Sequence, residues 1–229
     1  KAAARAIVGG AAAPDEATAA AARAADVTDE AAGAEIGVFF DYGGVGTTQS
    51  KLQGTKTAGL SENNPSFAQH HNVTHGTDFK PTDANLRSPE DVAKSGAKVY
   101  IATPECTQFT IVNRFRKISK NDVDAAAHVA RVIDEARPPV FLFENVKEYQ
   151  GTKLFKTITD ALDRQGYKWK ANLIDSADYG GVQSRKRLIV RAVRDGEVPK
   201  LPKKTKSGDW WEAVKDLVDN APDTKAGPK

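Results

Sequence analysis

Methionine is absent from this 229-residue chain, even at position 1, and cysteine occurs once. The missing methionine points to processing or truncation. A single cysteine excludes an internal disulfide, leaves no Cys-rich metal framework and suits a reducing cytosol. No apolar run reaches membrane-spanning length and no signal peptide opens the chain, so a soluble cytoplasmic protein with no membrane partner is expected. Net charge is only +3, too small for a bulk polycation. The length suits one sizeable domain and is too short for two large ones.

Residues 1–34 also lack large apolar side chains: half of them are alanine. Such a segment cannot build a core, although residues 15–25 have helical propensity. It is expected to be a flexible leader, with a catalytic domain over residues 35–229. From Glu35 onward short apolar runs alternate with helix-like segments, the pattern of an α/β domain with a mainly parallel sheet and helices on both faces. Strands are expected at 36–40, 57–61, 98–102, 140–143, 167–174 and 187–193. A helix is expected over 122–136, with Asn121 as its N-cap and Pro138 as its stop. Another spans 153–164 and ends at Gly166. Trp210 and Trp211 precede EAVKDLV, which reads as an amphipathic helix docked on the domain, the two rings packed in the core.

In open α/β sheets ligands bind beyond the carboxyl ends of the strands, so residues just after each apolar run should converge. After the first run comes Asp41-Tyr42-Gly43-Gly44-Val45-Gly46, whose glycines permit a tight turn and a close ligand. A Gly-rich turn alone suits a dinucleotide or a plain loop equally well. After the third run stands Pro104-Glu105-Cys106, and after the fourth Glu144-Asn145-Val146. Gln183-Ser184-Arg185-Lys186-Arg187 opens the last. The stretch 185–206 holds nine Lys or Arg against Asp195 and Glu197, a cluster that fits a polyanion partner. His70, His71 and His75 match no standard metal site, so no metal is expected.

In this order the segments FFDYGGVGTTQ, TPECTQFT, FLFENVKEY and DYGGVQSRKRLIV resemble the DNA cytosine-5 methyltransferase family, from about Glu35 to Asp219. The resemblance implies a Rossmann-like S-adenosylmethionine-dependent methyltransferase fold. It also implies methyl transfer from S-adenosylmethionine to C5 of a cytosine flipped out of double-stranded DNA. For the cofactor it points to Phe40 stacking on adenine, Gly43 and Gly44 lining the methionine part, Glu62 accepting from the ribose hydroxyls and Asp78 receiving the adenine amino group. For catalysis it names Cys106 as nucleophile on C6, Glu144 on the N3 and amino edge, and Arg185 on O2. Gln183 and Arg187, with Arg114 and Arg116 on the loop after Cys106, are expected to contact nucleic acid, aided by Lys117 and Lys120. The turn departs from the family's F-x-G-x-G-G, because Tyr42 stands where glycine is usual.

Members of this family ordinarily continue with a target-recognition domain and two closing motifs. The expectation is therefore that a second subunit or a longer chain supplies them, and that these 229 residues alone methylate DNA weakly or not at all. A transfer-RNA cytosine-5 methyltransferase uses the same motifs. A non-catalytic methyltransferase-like subunit is the reading from a different class. A nicotinamide oxidoreductase would need a tidier G-x-G-x-x-G and leaves the PEC and ENV motifs without a role.

Overall fold

The computed structural model describes residues 35–49, 52–106, 109 and 117–218. The Ala-rich leader with its expected helix at 15–25 lies outside the described residues, as do Arg114 and Arg116. In chain order the elements are β1 (Ile36–Asp41), β2 (Thr55–Ser61), α1 (Pro65–His75), α2 (Glu90–Lys94), β3 (Val99–Ala102), α3 (Lys120–Glu135), β4 (Val140–Asn145), α4 (Lys153–Arg164), β5 (Lys168–Asp175), β6 (Lys186–Val193) and α5 (Trp210–Val218). Each expected strand is present to within two residues at either end.

The strands form one sheet in the order β2-β1-β3-β4-β6-β5. The pairs β1–β2, β1–β3 and β3–β4 are parallel, whereas β6 runs antiparallel to both β4 and β5. The sheet is therefore mixed. Its central runs are continuously apolar because both faces are buried. Phe39, Tyr100, Phe141, Phe143, Leu188 and Val190 point to the side where Val129, Ile133, Ile158 and Leu162 of α3 and α4 pack. Val38, Phe40, Val99, Ile101, Val140 and Leu142 point the other way, beneath Leu52 and Val198.

Helix α3 begins two residues before the expected start. Its N-cap is Ser119 rather than Asn121: the Ser119 side chain accepts from the Asp122 amide while the Asp122 carboxylate accepts from the Ser119 amide at 2.7 Å, a reciprocal box. Asn121 instead accepts from Asn85 Nδ2 at 3.1 Å. Helix α4 is capped by Thr152, whose hydroxyl accepts from the Phe155 amide, and the chain reverses at Gly166 with φ 72°. Helix α5 forms, but the expected docking does not. Trp210, Trp211 and Leu217 are 62%, 47% and 58% exposed, and the two rings meet edge to face at 5.9 Å instead of filling a core. No helix among the described residues is long and apolar enough to cross a membrane.

Candidate functional site

Parallel pairing aligns the ends of the four parallel strands. Asp41 pairs with Ser61 on one side and Ala102 on the other, and Ala102 pairs with Phe143. The next residues along each strand, Tyr42, Glu62, Thr103 and Glu144, therefore emerge in a row along one edge of the sheet. Here a cavity of ≈ 270 Å³ opens. Its walls are Tyr42 and Gly44 after β1, Ser61 to Asn64 after β2, Phe67 of α1, Thr82 to Asn85, Thr103 to Glu105 after β3, the start of α3, and Tyr149 after β4.

Glu62 anchors this cavity. Its two carboxylate oxygens accept from the amides of Gly44 (2.9 Å) and Asn64 (2.8 Å), so one side chain ties the glycine turn to the entry of α1. Each oxygen retains acceptor capacity towards a ligand. Gly44 has φ 57° and open space where a Cβ would stand, so a ligand can approach the backbone. Gly43 lies beneath, where a Cβ would meet Leu60 Cδ1 at 2.3 Å. The turn is also gripped from α1. His75 Nε2 is 2.9 Å from the Gly46 carbonyl, and His71 bridges Gln49 and Thr77. Two of the three histidines thus brace the loop, and no group fit to hold a metal ion occurs among the described residues.

Two residues expected to meet the cofactor lie off the cavity wall. Phe40 is 4% exposed and packs with Val38 and Leu60 in the second core layer, because alternation along β1 turns it away from the strand-end cavity. The aromatic side chains on the cavity wall are Tyr42, Phe67 and Tyr149. Asp78 is exposed and off the wall. Its neighbours Thr77 and Phe79 are fastened to Asn72, whereas Asp83, five residues on, lines the cavity and caps a short 3-10 turn, Ala84–Leu86, through the Asn85 amide at 2.9 Å. Both acids follow threonine in a loop, so sequence alone did not separate them.

Tyr42 takes the left-handed conformation, φ 61°, which is uncommon for a bulky residue. Its hydroxyl donates to Asn85 Oδ1 at 2.7 Å and its carbonyl accepts from the Thr103 hydroxyl at 2.9 Å. The Tyr149 hydroxyl is buried on the wall and has no hydrogen-bond partner among the described residues. Burial and the nearby Asp122 push this phenol well above its ordinary value.

The second group stands on the neighbouring strand ends. Cys106 is half-buried, against the first core layer, and is not sealed. Its loop is pinned from two sides. Asn145 Nδ2 donates to the Pro104 carbonyl at 3.1 Å, and Phe109, 5% exposed, wedges against Tyr149. The side chain next to Asn145, that of Glu144, pairs with Arg187 Nε at 2.8 Å. Burial raises the Glu144 carboxyl above the usual carboxylate value, although Arg187 and Arg185 oppose the shift. Arg187 is thus partnered with the glutamate rather than free for phosphate. Arg185 and Gln183 are exposed on the turn before β6, which Asp175 holds by accepting from the Arg185 amide at 3.0 Å and the Ser184 hydroxyl at 2.6 Å. Lys117 is exposed, and Lys120 is engaged by Asp124 at 2.5 Å.

Sequence reading missed a buried cluster on the α3 side of the sheet. Asp41 Oδ2 accepts from Arg87 Nη2 at 2.6 Å and from the Tyr100 hydroxyl at 2.6 Å, and lies 2.9 Å from His128 Nε2. Burial alone would raise the Asp41 carboxyl. The hydrogen bond with His128, the Arg87 charge and the Tyr100 hydroxyl outweigh burial and hold it below the ordinary value. Arg87 also donates from Nε to the Ser61 hydroxyl at 2.9 Å and covers the Phe39 ring at 4.4 Å. The signal available in the sequence was an aspartate closing an apolar strand, which needs a partner when buried.

A parallel core, a single antiparallel strand, β6, inserted between β4 and β5, and a cavity at the strand ends define a methyltransferase fold. Solved structures agree: an Entamoeba histolytica methyltransferase, EhMeth, superposes with TM-score 0.64 at 15% identity over 76% of this chain and 57% of that one. The S. pombe Dnmt2 methyltransferase gives TM-score 0.57 at 19% identity over 85% of this chain and 57% of that one. Residues 38–227 match the C-5 cytosine-specific DNA methylase family, and the chain belongs to that family. Among similar proteins, the type II methyltransferase M.XorII of Xanthomonas oryzae pv. oryzae is 28% identical over 144 residues, 60% of this chain and 34% of that protein. Mouse (Mus musculus) DNA (cytosine-5)-methyltransferase 1 is 32% identical over 114 residues, 48% of this chain and 7% of that protein. The chain thus spans about a third of M.XorII and just over half of the two solved relatives.

Proposed function

We propose that this chain carries the cofactor and nucleophile half of a DNA cytosine-5 methyltransferase. The observation that carries the reading is the row of strand ends on which Glu62, the PEC loop and the Glu144–Arg187 pair stand side by side. The cavity suits S-adenosylmethionine. Glu62 offers two acceptor oxygens for a ribose diol, Gly44 leaves the backbone approachable, and Asp83 with Asn85 supplies acceptors for an amino group. When bound, the cofactor supplies an electrophilic methyl group on a sulfonium.

The chain's own residues prepare the base. Cytosine C6 is a poor electrophile, so the Cys106 thiolate needs help to add there. Glu144 faces the N3 edge and passes a proton to N3 as the C6–S bond forms, which keeps negative charge off the ring and makes C5 nucleophilic; burial, which raises the Glu144 carboxyl, favours that role. Once C5 carries the methyl group, a water molecule or hydroxide takes the C5 proton, the C6–S bond breaks to release the Cys106 thiolate, and the N3 proton returns to the Glu144 carboxylate. Arg187 keeps the Glu144 carboxyl oriented, and Arg185 beside it suits the O2 side of the ring. A base inside a duplex hides C6 between its neighbours, so the substrate must be flipped out. DNA is favoured over RNA because the matching family is that of C-5 cytosine-specific DNA methylases and the similar mouse protein is a DNA methyltransferase.

The test uses an oligonucleotide containing 5-fluorocytosine, whose C5 substituent cannot leave, so the adduct accumulates even where turnover is slow. With S-adenosylmethionine the chain is expected to form a denaturation-resistant adduct that Cys106→Ser and Glu144→Gln abolish. An adduct on RNA alone would reassign the substrate. Cofactor binding with no adduct on either would favour a non-catalytic methyltransferase-like subunit.

A further inference from the structure

We propose that Arg87, locked onto Asp41, is the positioning residue of the strand-end cavity, setting where the glycine turn and Glu62 stand. The cluster joins five segments, and each partner adjoins a wall of that cavity. Asp41 immediately precedes Tyr42, Ser61 immediately precedes Glu62, and Arg87 ends the turn that carries Asp83 and Asn85. Tyr100 lies on β3 just before Thr103, and His128 lies on α3 one turn after Ala125.

The guanidinium is used on every side. Nη2 holds Asp41, Nε holds Ser61, Nη1 donates to the Ser88 carbonyl at 2.8 Å, and the flat face rests on Phe39. Lysine keeps the charge but cannot reproduce this fork. Buried ion pairs give little net stability compared with apolar packing, and their attested use is to fix one geometry among several. What this one fixes is the register between β1 and β2 at their ends. The Gly43 amide reaches the Ser61 carbonyl at 3.2 Å, and Glu62 then takes the Gly44 and Asn64 amides. With Arg87 removed, the Asp41 charge is left buried beside His128 and Tyr100. Relief requires β1 to shift or water to enter, and either displaces the turn.

Treating the cavity as a cofactor pocket rests on the function proposed above; the positioning itself does not. The deciding measurement is residue-resolved amide hydrogen exchange on the ligand-free chain for wild type, Arg87→Lys, Arg87→Met and, as a remote core control, Ile158→Val. In both Arg87 variants the amides of Gly43, Gly44 and Asn64 are expected to lose protection by at least about tenfold more than those of strand β4, because the opening is local. The control should lose protection evenly. Equal loss everywhere in Arg87→Lys, or no selective loss at the three amides, overturns the inference, and Arg87→Lys carries the test if Arg87→Met does not fold. A parallel titration with S-adenosylmethionine should show weaker binding for both Arg87 variants than for the control. A wild type that binds no cofactor refutes the function and leaves the exchange result to decide the positioning.

Discussion

Asp41 shows how a single side chain connects burial to acid sensitivity. It is fully buried, and His128, Arg87 and Tyr100 hold its carboxyl below the ordinary aspartate value of 3.8. The unfolded chain therefore binds this proton at a pH where the native chain does not. The group contributes stability above 3.8 that is lost as pH falls through the native value. Urea denaturation of wild type across mildly to strongly acidic pH is expected to show stability falling over that window. Asp41→Asn should weaken the dependence while costing about 3–5 kcal/mol at neutral pH, since Arg87 then lacks its counter-charge. A dependence of equal steepness in the variant would assign the acid sensitivity to other carboxylates.

At the scale of elements, helix α3 rests on a two-residue device. Ser119→Ala removes the acceptor for the Asp122 amide and breaks the reciprocal box, so it should cost about 1 kcal/mol in chemical denaturation with little change in slope. Gly46→Ala tests how α1 grips the glycine turn. At φ 80°, with a Cβ 2.6 Å from the His71 and His75 rings, it should destabilise by roughly 1–3 kcal/mol. The strands were legible in the sequence because two-sided burial demands unbroken apolar runs, and α4 because Thr152 and Gly166 punctuate it. The start of α3 was misread because Asn121 is also a good cap, and only the Asp122 side chain folding back on Ser119 decides between them. Glu62 and Gly44, to which the family resemblance pointed, line the strand-end cavity. That Phe40 faces the core was not legible, because the altered glycine turn hid which way β1 faces at its end. That Asp83 rather than Asp78 reaches the wall was not legible, because loop paths are not written in local pattern. The Asp41 cluster was invisible for a related reason: its members are spread from residue 41 to residue 128 and meet only once the sheet and α3 are assembled.

At the scale of the molecule, apolar burial is spent on the two layers flanking the sheet, and α5 takes little part in either. Tyr149 and Phe141 are 1% and 0% exposed, whereas Trp210 and Trp211 stand largely in solvent beyond the basic stretch that follows β6. The consequences of truncation should therefore invert the usual ranking by side-chain size. Phe141→Ala is expected to cost about 3–5 kcal/mol through cavity formation. Trp210→Ala and Trp211→Ala should each cost under about 0.5 kcal/mol, since nothing is uncovered when the ring goes. Fluorescence provides an independent check, because Trp169 is half-buried and donates Nε1–H to Asp163 at 2.7 Å. Acrylamide should quench most of the emission of the wild-type chain, and the residual emission of a Trp210→Phe, Trp211→Phe double variant should be bluer and harder to quench. Emission as blue and as protected in wild type as in the double variant would mean that α5 packs its tryptophans against the rest of the chain, as the sequence pattern alone suggested.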